Sequence, residues 1–201
     1  TEDETLIQLI LRFYDVSKGD ILINKTPIKD FSYSSLYQKI GVILQEPFLF
    51  EGTVLDNLLY GNESCTLDDV LKASIETGLN DFIEKLPGGY SFYIEENGTN
   101  ISTGEKQLIA ITRVVLRNPE LLILDEATSS TDLYTEKKVY EAMLKLMSKR
   151  ATIVIAHRLK TIEKVDKILY LENGKIVENG THEELLEKKS KYYKLYKEQF
   201  L

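Results

Sequence analysis

The chain has 201 residues, of which 43% are hydrophobic and 28% are charged, values typical of a soluble globular domain that buries a core. Its net charge of -7 argues against sequence-independent nucleic-acid binding, which requires a basic surface. The single cysteine, Cys65, excludes an internal disulfide and favours a reducing compartment. No apolar run reaches the ~18 residues that span a bilayer, and the acidic start at Thr1 is unlike a signal peptide.

The first half of the chain predicts short strands between helices. Apolar residues recur at helical spacing from Leu6 to Phe13, and Gly41 to Leu44 form a compact apolar run of strand length that ends before Gln45. The remaining predictions are a short strand at 19–24, a helix at 34–40, a helical sub-lobe at 53–86, a glycine-bearing segment at 87–99 and a helix at 103–116 that ends at Asn118-Pro119.

After Pro119 strands and helices alternate, which predicts parallel strand pairing through right-handed crossovers. Asn173-Gly174 predicts a tight hairpin instead, and Thr181 followed by Glu184 predicts a capping box. The predicted elements are strands at 121–124, 152–155, 167–171 and 175–177, and helices at 133–147, 159–164, 181–187 and 189–199.

Two carboxylates follow the apolar strand that begins at Leu121. Asp125 and Glu126 stand at its carboxyl end, where open α/β sheets bind ligands. Asp125 is suited to orient Mg²⁺ through water, and Glu126 is suited to polarise an attacking water. For this segment in isolation, acids that merely face solvent are an equal alternative.

Three further positions favour a phosphate site when they are taken together. Ser102 opens a predicted helix whose free N–H groups attract anions, although an ordinary cap with Glu105 explains the same residues. His157 follows the next strand. A histidine at this position either donates a hydrogen bond to a phosphate oxygen or has a purely structural role. Gln45 stands at the end of its strand, but an isolated glutamine does not by itself indicate a ligand site.

The order of these segments resembles the nucleotide-binding domain of ABC transporters of the exporter type, and the resemblance covers nearly the whole chain. Val42 to Phe50 resembles the Q-loop and the segment after it, and Glu96 to Gln107 resembles the exporter cross-linking loop with the LSGGQ segment. Leu121 to Glu126 is similar to Walker B, Ser129 to Asp132 to the D-loop, and Ile155 to Leu159 to the switch histidine.

The resemblance implies an α/β fold of the P-loop NTPase type, with a mostly parallel sheet flanked by helices and an inserted helical subdomain. Residues 1–201 form one ABC ATPase domain in this interpretation. Residues 1–45 and 118–201 belong to its catalytic core, and residues 46–117 form the helical subdomain with the LSGGQ-like segment. The N-terminal antiparallel β-subdomain is expected to be largely missing.

The resemblance also implies the roles of the site residues, with ATP and Mg²⁺ as ligands. Glu126 positions the attacking water, and His157 stabilises the transition state. Asp125 and Gln45 serve Mg²⁺, while the nucleotide contacts are Gln45, Ser102, Gly104 and Asp132. The implied partners are a second nucleotide-binding domain, identical or different, and an exporter transmembrane domain, with no nucleic acid. The implied location is the cytoplasmic face of the cell membrane.

Two departures from the family pattern affect the phosphate contacts. Ile101, Thr103 and Glu105 replace the Leu, first Gly and Gln of LSGGQ. The phosphate-gripping G-x-x-x-x-G-K-S/T loop does not occur, and its end aligns with Glu2-Asp3-Glu4. Two unit charges ~4 Å apart interact by roughly 4 kcal/mol at an effective dielectric of 20. Carboxylates at these positions would repel the phosphates of ATP, so several repulsive pairs replace the attractive pairs of the family.

The departures make a truncated chain, or one with a loop omitted, the favoured explanation, with little or no ATPase activity of its own. One alternative is a non-catalytic ABC domain that lends its Ser102 segment to a competent partner. Another is a soluble ABC-type ATPase of DNA repair or translation. That class lacks the exporter-like context at Phe48 to Thr53 and at Glu96 to Gly98.

Overall fold

The computed structural model describes residues 2–44, 46–125, 133–155 and 159–200. The helices are α1 (Glu2–Ile10), α2 (Tyr33–Lys39), α3 (Val54–Leu59), α4 (Leu67–Thr77), α5 (Asn80–Ile83), α6 (Thr103–Arg117), α7 (Leu133–Met147), α8 (Leu159–Ile162), α9 (His182–Glu187) and α10 (Lys191–Phe200). The strands are β1 (Leu22–Ile23), β2 (Thr26–Pro27), β3 (Ile40–Ile43), β4 (Gly52–Thr53), β5 (Tyr93–Ile94), β6 (Leu121–Asp125), β7 (Ala151–Ile155), β8 (Ile168–Glu172) and β9 (Lys175–Gly180). Single 3₁₀ turns occur at Ile28–Asp30, Gly89–Ser91 and Glu96–Gly98.

Two compact units divide the chain. One comprises Thr1–Ser32 with Ile155–Leu201, and the other comprises Tyr33–Val154. The boundaries predicted for the helical subdomain, at residues 46 and 117, stay a prediction.

A three-stranded sheet of order β3-β6-β7 anchors the unit that comprises Tyr33–Val154. β3 and β6 are parallel, and their register runs from Ile40 opposite Leu121 to Ile43 opposite Leu124. The middle of β6 is fully buried, as its continuous apolar sequence predicts for a strand covered on both faces. The predicted α/β fold is thereby confirmed, and parallel pairing is present between β3 and β6; the strand predicted at 167–171 belongs instead to the antiparallel pair β8-β9.

Helix α6 organises the helical part of this unit, because it packs against α3, α4, α7 and β3. Leu108, Ile109 and Ile111 on this helix are almost completely buried. Among them, the hydroxyls of Thr77 on α4 and Thr112 on α6 meet at 2.8 Å, so a polar contact crosses the apolar seam. The helix ends at Asn118 in the left-handed conformation, followed by Pro119, which confirms the predicted stop.

The unit that comprises Thr1–Ser32 and Ile155–Leu201 contains the hairpin predicted from Asn173-Gly174. β8 and β9 pair antiparallel, and the turn residues have φ of 50° and 69°, as a type I′ turn requires. α9 begins at the predicted capping box of Thr181 with Glu184. Behind it, Nδ1 of buried His182 lies 2.7 Å from the Tyr192 hydroxyl, which joins α9 to α10.

Three local expectations differ from the structure in their extent. α1 begins at Glu2 rather than Leu6 and ends at Ile10. The first strand is cut to two residues, because Asn24 and Lys25 adopt positive φ and turn the chain into β2. The helical sub-lobe is enclosed by a strand pair, since β4 leads into α3 and pairs with β5, which follows α5 in the chain.

Candidate functional site

The carboxyl ends of β3 and β6 lie at the same edge of the sheet, because the two strands are parallel and in register. Asp125 is the last residue of β6 and is half-buried at this edge. The other residues predicted for this edge, Gln45, Glu126 and His157, lie outside the described residues, as does Asp132. The structure therefore gives a position for one of the two predicted magnesium ligands.

The donor chemistry of Asp125 fits Mg²⁺. This ion takes oxygen ligands and usually binds through one or two carboxylates, with substrate phosphates and water completing the shell. Within the described residues, no three or more His, Cys, Asp or Glu side chains converge in a metal-binding group.

Ser102 is the N-cap of α6 and forms a reciprocal capping box with Glu105. The Ser102 N–H donates to Glu105 Oε2 at 2.8 Å, and the Glu105 N–H donates to Ser102 Oγ at 3.4 Å. Ser102 and Thr103 are exposed, whereas Gly104 is buried in the first turn. The structure thus brings Ser102 and Gly104 together at the positive end of a 15-residue helix.

The loop before Ser102 is held by hydrogen bonds of its own. The Lys106 ammonium donates to the Asn97 carbonyl at 2.7 Å, which connects the first turn of α6 to this loop. Asn100 donates to the Tyr93 carbonyl at 2.9 Å and accepts from the Glu95 N–H at 3.1 Å. A side chain in place of Gly98, whose φ is 65°, would press on Lys106 at 3.0 Å. The entry to the Ser102 segment is accordingly fixed.

The segment after residue 45 buries one side chain and exposes others. Leu49 is fully buried, but Phe48 is 56% exposed. Phe50 lies between Phe48 and Tyr60, with ring centroids 4.9 and 4.0 Å away. These rings border a surface recess of about 230 Å³, here called the aromatic recess, whose lining includes Leu44, Phe48, Phe50, Tyr60, Arg113 and Arg117.

Arg113 on α6 is a residue that the sequence reasoning missed. Its guanidinium donates to the Phe48 carbonyl at 2.8 Å and to the Asn57 carbonyl and side-chain Oδ1, each at 2.5 Å. Burial lowers the pKa of Arg113 to about 10, which leaves the side chain charged at neutral pH. The available signal was a cation inside a stretch of the helix, at 108–114, that is otherwise uncharged.

In the part of the chain that the structure describes, no helix combines the length and the apolar character that a crossing requires.

Comparison with known proteins gives a consistent set of relatives. The profile of the family described as ABC transporter matches residues 4–129. An ATP-dependent lipid A-core flippase of Syntrophus aciditrophicus is 48% identical over 196 residues, which cover 98% of this chain and 33% of the flippase. A putative multidrug export ATP-binding/permease protein of Bacillus subtilis is 46% identical over 192 residues, which cover 96% of this chain and 33% of that protein.

A solved structure shows the same likeness in three dimensions. A bacterial Atm1-family ABC exporter with ATP bound matches with a TM-score of 0.90 and 37% sequence identity, over 100% of this chain and 35% of that chain. The chain spans about a third of the length of the curated relatives that it matches.

Proposed function

The chain belongs to the ABC transporter family, and from that premise we propose that it is the ATP-binding domain of an exporter. In this role it couples MgATP binding and hydrolysis, at a head-to-tail dimer of such domains, to transport across a membrane. Membership of the family implies ATP binding, and the exporter assignment follows from relatives that are themselves exporters. Residues 46–117 serve as the helical subdomain of this domain.

The parallel register of β3 and β6 is the observation that carries the proposal. It brings the end of one strand, after which Gln45 follows in sequence, to the same edge as Asp125, after which Glu126 follows. A magnesium ligand and a water-positioning carboxylate at one sheet edge are the groups that phosphoryl transfer to water needs.

Each residue of this edge has a separate task in the proposed reaction. Asp125 and Gln45 hold Mg²⁺, which neutralises charge on the phosphates when it is bound. Glu126 accepts a hydrogen bond from the attacking water and orients it. His157 donates a hydrogen bond to the γ-phosphate as its charge redistributes, and Asp132 contacts the nucleotide across the dimer.

Ser102 and Gly104 serve the nucleotide held by the partner domain. The capping box leaves the Ser102 hydroxyl proton available, because Oγ acts only as an acceptor toward Glu105. The N–H groups of Thr103 and Gly104 add donors beside it, since the first amides of a helix have no acceptor within the helix. The partner is either a second copy of the chain or a related domain.

We further propose that the aromatic recess receives the transmembrane part of the exporter. Its exposed rings Phe48 and Tyr60 offer apolar area, and the nearby guanidinium of Arg117 offers a donor to an acidic side chain. This assignment locates the chain at the cytoplasmic face of the cell membrane.

The decisive experiment is Glu126→Gln in the full-length protein that carries this chain. Steady-state ATP turnover falls by about 100-fold or more in this variant while ATP binding persists, because only the water-orienting carboxylate is lost. Glu120→Gln is the matched control, since it neutralises a carboxylate just before β6, where Glu120 pairs with Lys39. Unchanged ATP turnover in Glu126→Gln would refute the assignment of Glu126 as the residue that orients the attacking water.

The 201-residue chain by itself is proposed to have little or no ATPase activity. In sequence, Glu2, Asp3 and Glu4 align with the phosphate-binding groups of the family, and carboxylates in their place would repel ATP. A fluorescent ATP analogue titrated with Mg²⁺ into this chain measures the effect. A micromolar Kd would contradict this reasoning about the three acids.

The same three acids favour a second candidate function, a non-catalytic domain that completes the site of a competent partner. Addition of this chain to such a partner then raises the partner's ATP turnover. Ser102→Ala abolishes the rise, because the hydroxyl is the group lent across the dimer. A rise that survives Ser102→Ala would exclude this function.

A further inference from the structure

Arg113 ties three elements of the helical region together. From the C-terminal half of α6 its Nη1 reaches the carbonyl of Phe48, in the segment that follows residue 45. Its Nε and Nη2 reach the backbone carbonyl and the side-chain oxygen of Asn57 on α3. These partners lie 65 and 56 residues away along the chain, so the contacts exist only in the folded protein.

Asn57 extends this link, because all four of its side-chain hydrogen-bonding positions are used. Its Oδ1 accepts from Arg113 and from the Phe50 N–H at 2.9 Å. Its Nδ2 donates to the carbonyls of Phe50 at 2.8 Å and Thr53 at 3.1 Å. Rotation of the amide would set donors against donors, so its orientation is determined, and the residue is only 1% exposed.

The Arg113 side chain is satisfied by amide oxygens, and it forms no ion pair with a carboxylate among the described residues. A rigid, planar guanidinium with several donors fixes the relative positions of its acceptors, whereas a lysine ammonium is a single point on a flexible stem. Asn62 adds a bond in the opposite direction, from its Nδ2 to the Arg113 carbonyl at 3.2 Å. The side chain of Arg113 thus joins α6 to α3, and its backbone carbonyl joins α6 to the loop that follows α3.

We infer that Arg113 is a positioning residue that makes the segment at 46–51 move as one body with α6. At one end of this body is the segment that follows Gln45, and at the other is Ser102. A displacement of the segment at 46–51 is therefore transmitted through the Arg113 guanidinium to α6, and along this rigid helix to Ser102. The consequence for catalysis rests on the proposed function, whereas the coupled movement of the segment at 46–51 and α6, which is the mechanical part of the inference, is independent of it.

Hydrogen exchange of the complete chain with Arg113→Lys tests the mechanical part. Exchange in peptides covering 46–53 becomes about tenfold faster, because the Phe48 carbonyl and Asn57 lose the geometry that the fork imposes. Amides at the centre of α6, from Ile109 to Ile111, keep their rates, since their helical bonds are unaffected. Equal acceleration in both places would show general destabilisation and overturn the inference.

Arg150→Lys is a matched control for this experiment. Arg150 also donates to a backbone carbonyl, that of Leu146 at 3.1 Å, and to an asparagine oxygen, that of Asn118 at 2.7 Å. Its replacement leaves exchange at 46–53 unchanged, because neither partner belongs to that segment. If Arg113→Lys also leaves 46–53 unchanged, the link through Arg113 does not exist.

Steady-state kinetics of the full-length protein tests the consequence in catalysis. Arg113→Lys lowers kcat per folded molecule about tenfold and leaves KM for ATP within about twofold, since positioning rather than ground-state binding is lost. An unchanged kcat together with faster exchange would overturn the transmission to Ser102. Absence of turnover in the unsubstituted protein would instead refute the proposed function, and the exchange data would still decide the link.

Discussion

Gly41→Ala tests how tightly strand β3 packs against Val114 of α6 and against Pro119. Gly41 lies in β3, and a Cβ there would sit 2.7 Å from Pro119 Cγ and 2.8 Å from Val114 Cγ1. Ordinary contacts begin at 3.4 Å, so these are short by 0.7 and 0.6 Å. The proline ring cannot rotate away, and the valine sits on α6. We expect an overpacking cost of about 2 kcal/mol.

Urea unfolding followed by circular dichroism measures this cost. With a slope of about 2 kcal/mol per molar urea, the midpoint falls by about 1 M. Val114→Ala supplies the control, because it removes one of the two obstructing atoms. The double variant should lose at least ~1 kcal/mol less than the sum of the single losses. A midpoint shift below ~0.2 M for Gly41→Ala, or strict additivity, would refute the reasoning.

Two other predictions concern the ends of helices. Ser102→Ala removes the acceptor for the Glu105 N–H and should cost about 1 kcal/mol of unfolding free energy, measured by urea unfolding, whereas Ser102→Asp should retain most of it. Burial, with Tyr196 nearby, raises the pKa of Tyr192 to about 12, so the fold favours the protonated phenol. Stability present below ~pH 10 is then lost as pH rises toward 12. Unfolding midpoints at pH 9 and pH 11 should differ less in Tyr192→Phe than in the unsubstituted chain, and an equal difference would contradict the assignment.

Elements governed by local sequence were predicted well. The continuous apolar run before Asp125 became the buried strand β6, and the predicted helix at 133–147 is α7 with the same bounds. The Asn173-Gly174 turn and the box formed by Thr181 and Glu184 are also present. In each case the determining interaction spans only a few residues, so the sequence contains it directly.

Contacts between distant segments could not be predicted in this way. Arg113 appeared in sequence as one charged residue of a mostly apolar stretch, and its acceptors lie 56 and 65 residues away. The close approach of Gly41 to Pro119 likewise depends on how β3 packs against α6. Of the predicted site, Asp125, Ser102 and Gly104 have described positions, and the roles of all its residues stay predictions.

Glu105 shows how stability and ligand affinity are opposed at one helix end. Its carboxylate accepts the Ser102 N–H at 2.8 Å and lies at the positive end of α6, so it stabilises the helix twice over. A phosphate bound at the same end, as the proposed function requires, would meet that N–H group and that dipole with a negative charge already in place. Glutamine, the usual family residue at this position, is able to accept the same hydrogen bond without the charge. Under the proposed function, the residue that strengthens the cap would therefore weaken the proposed anion site at the same helix end.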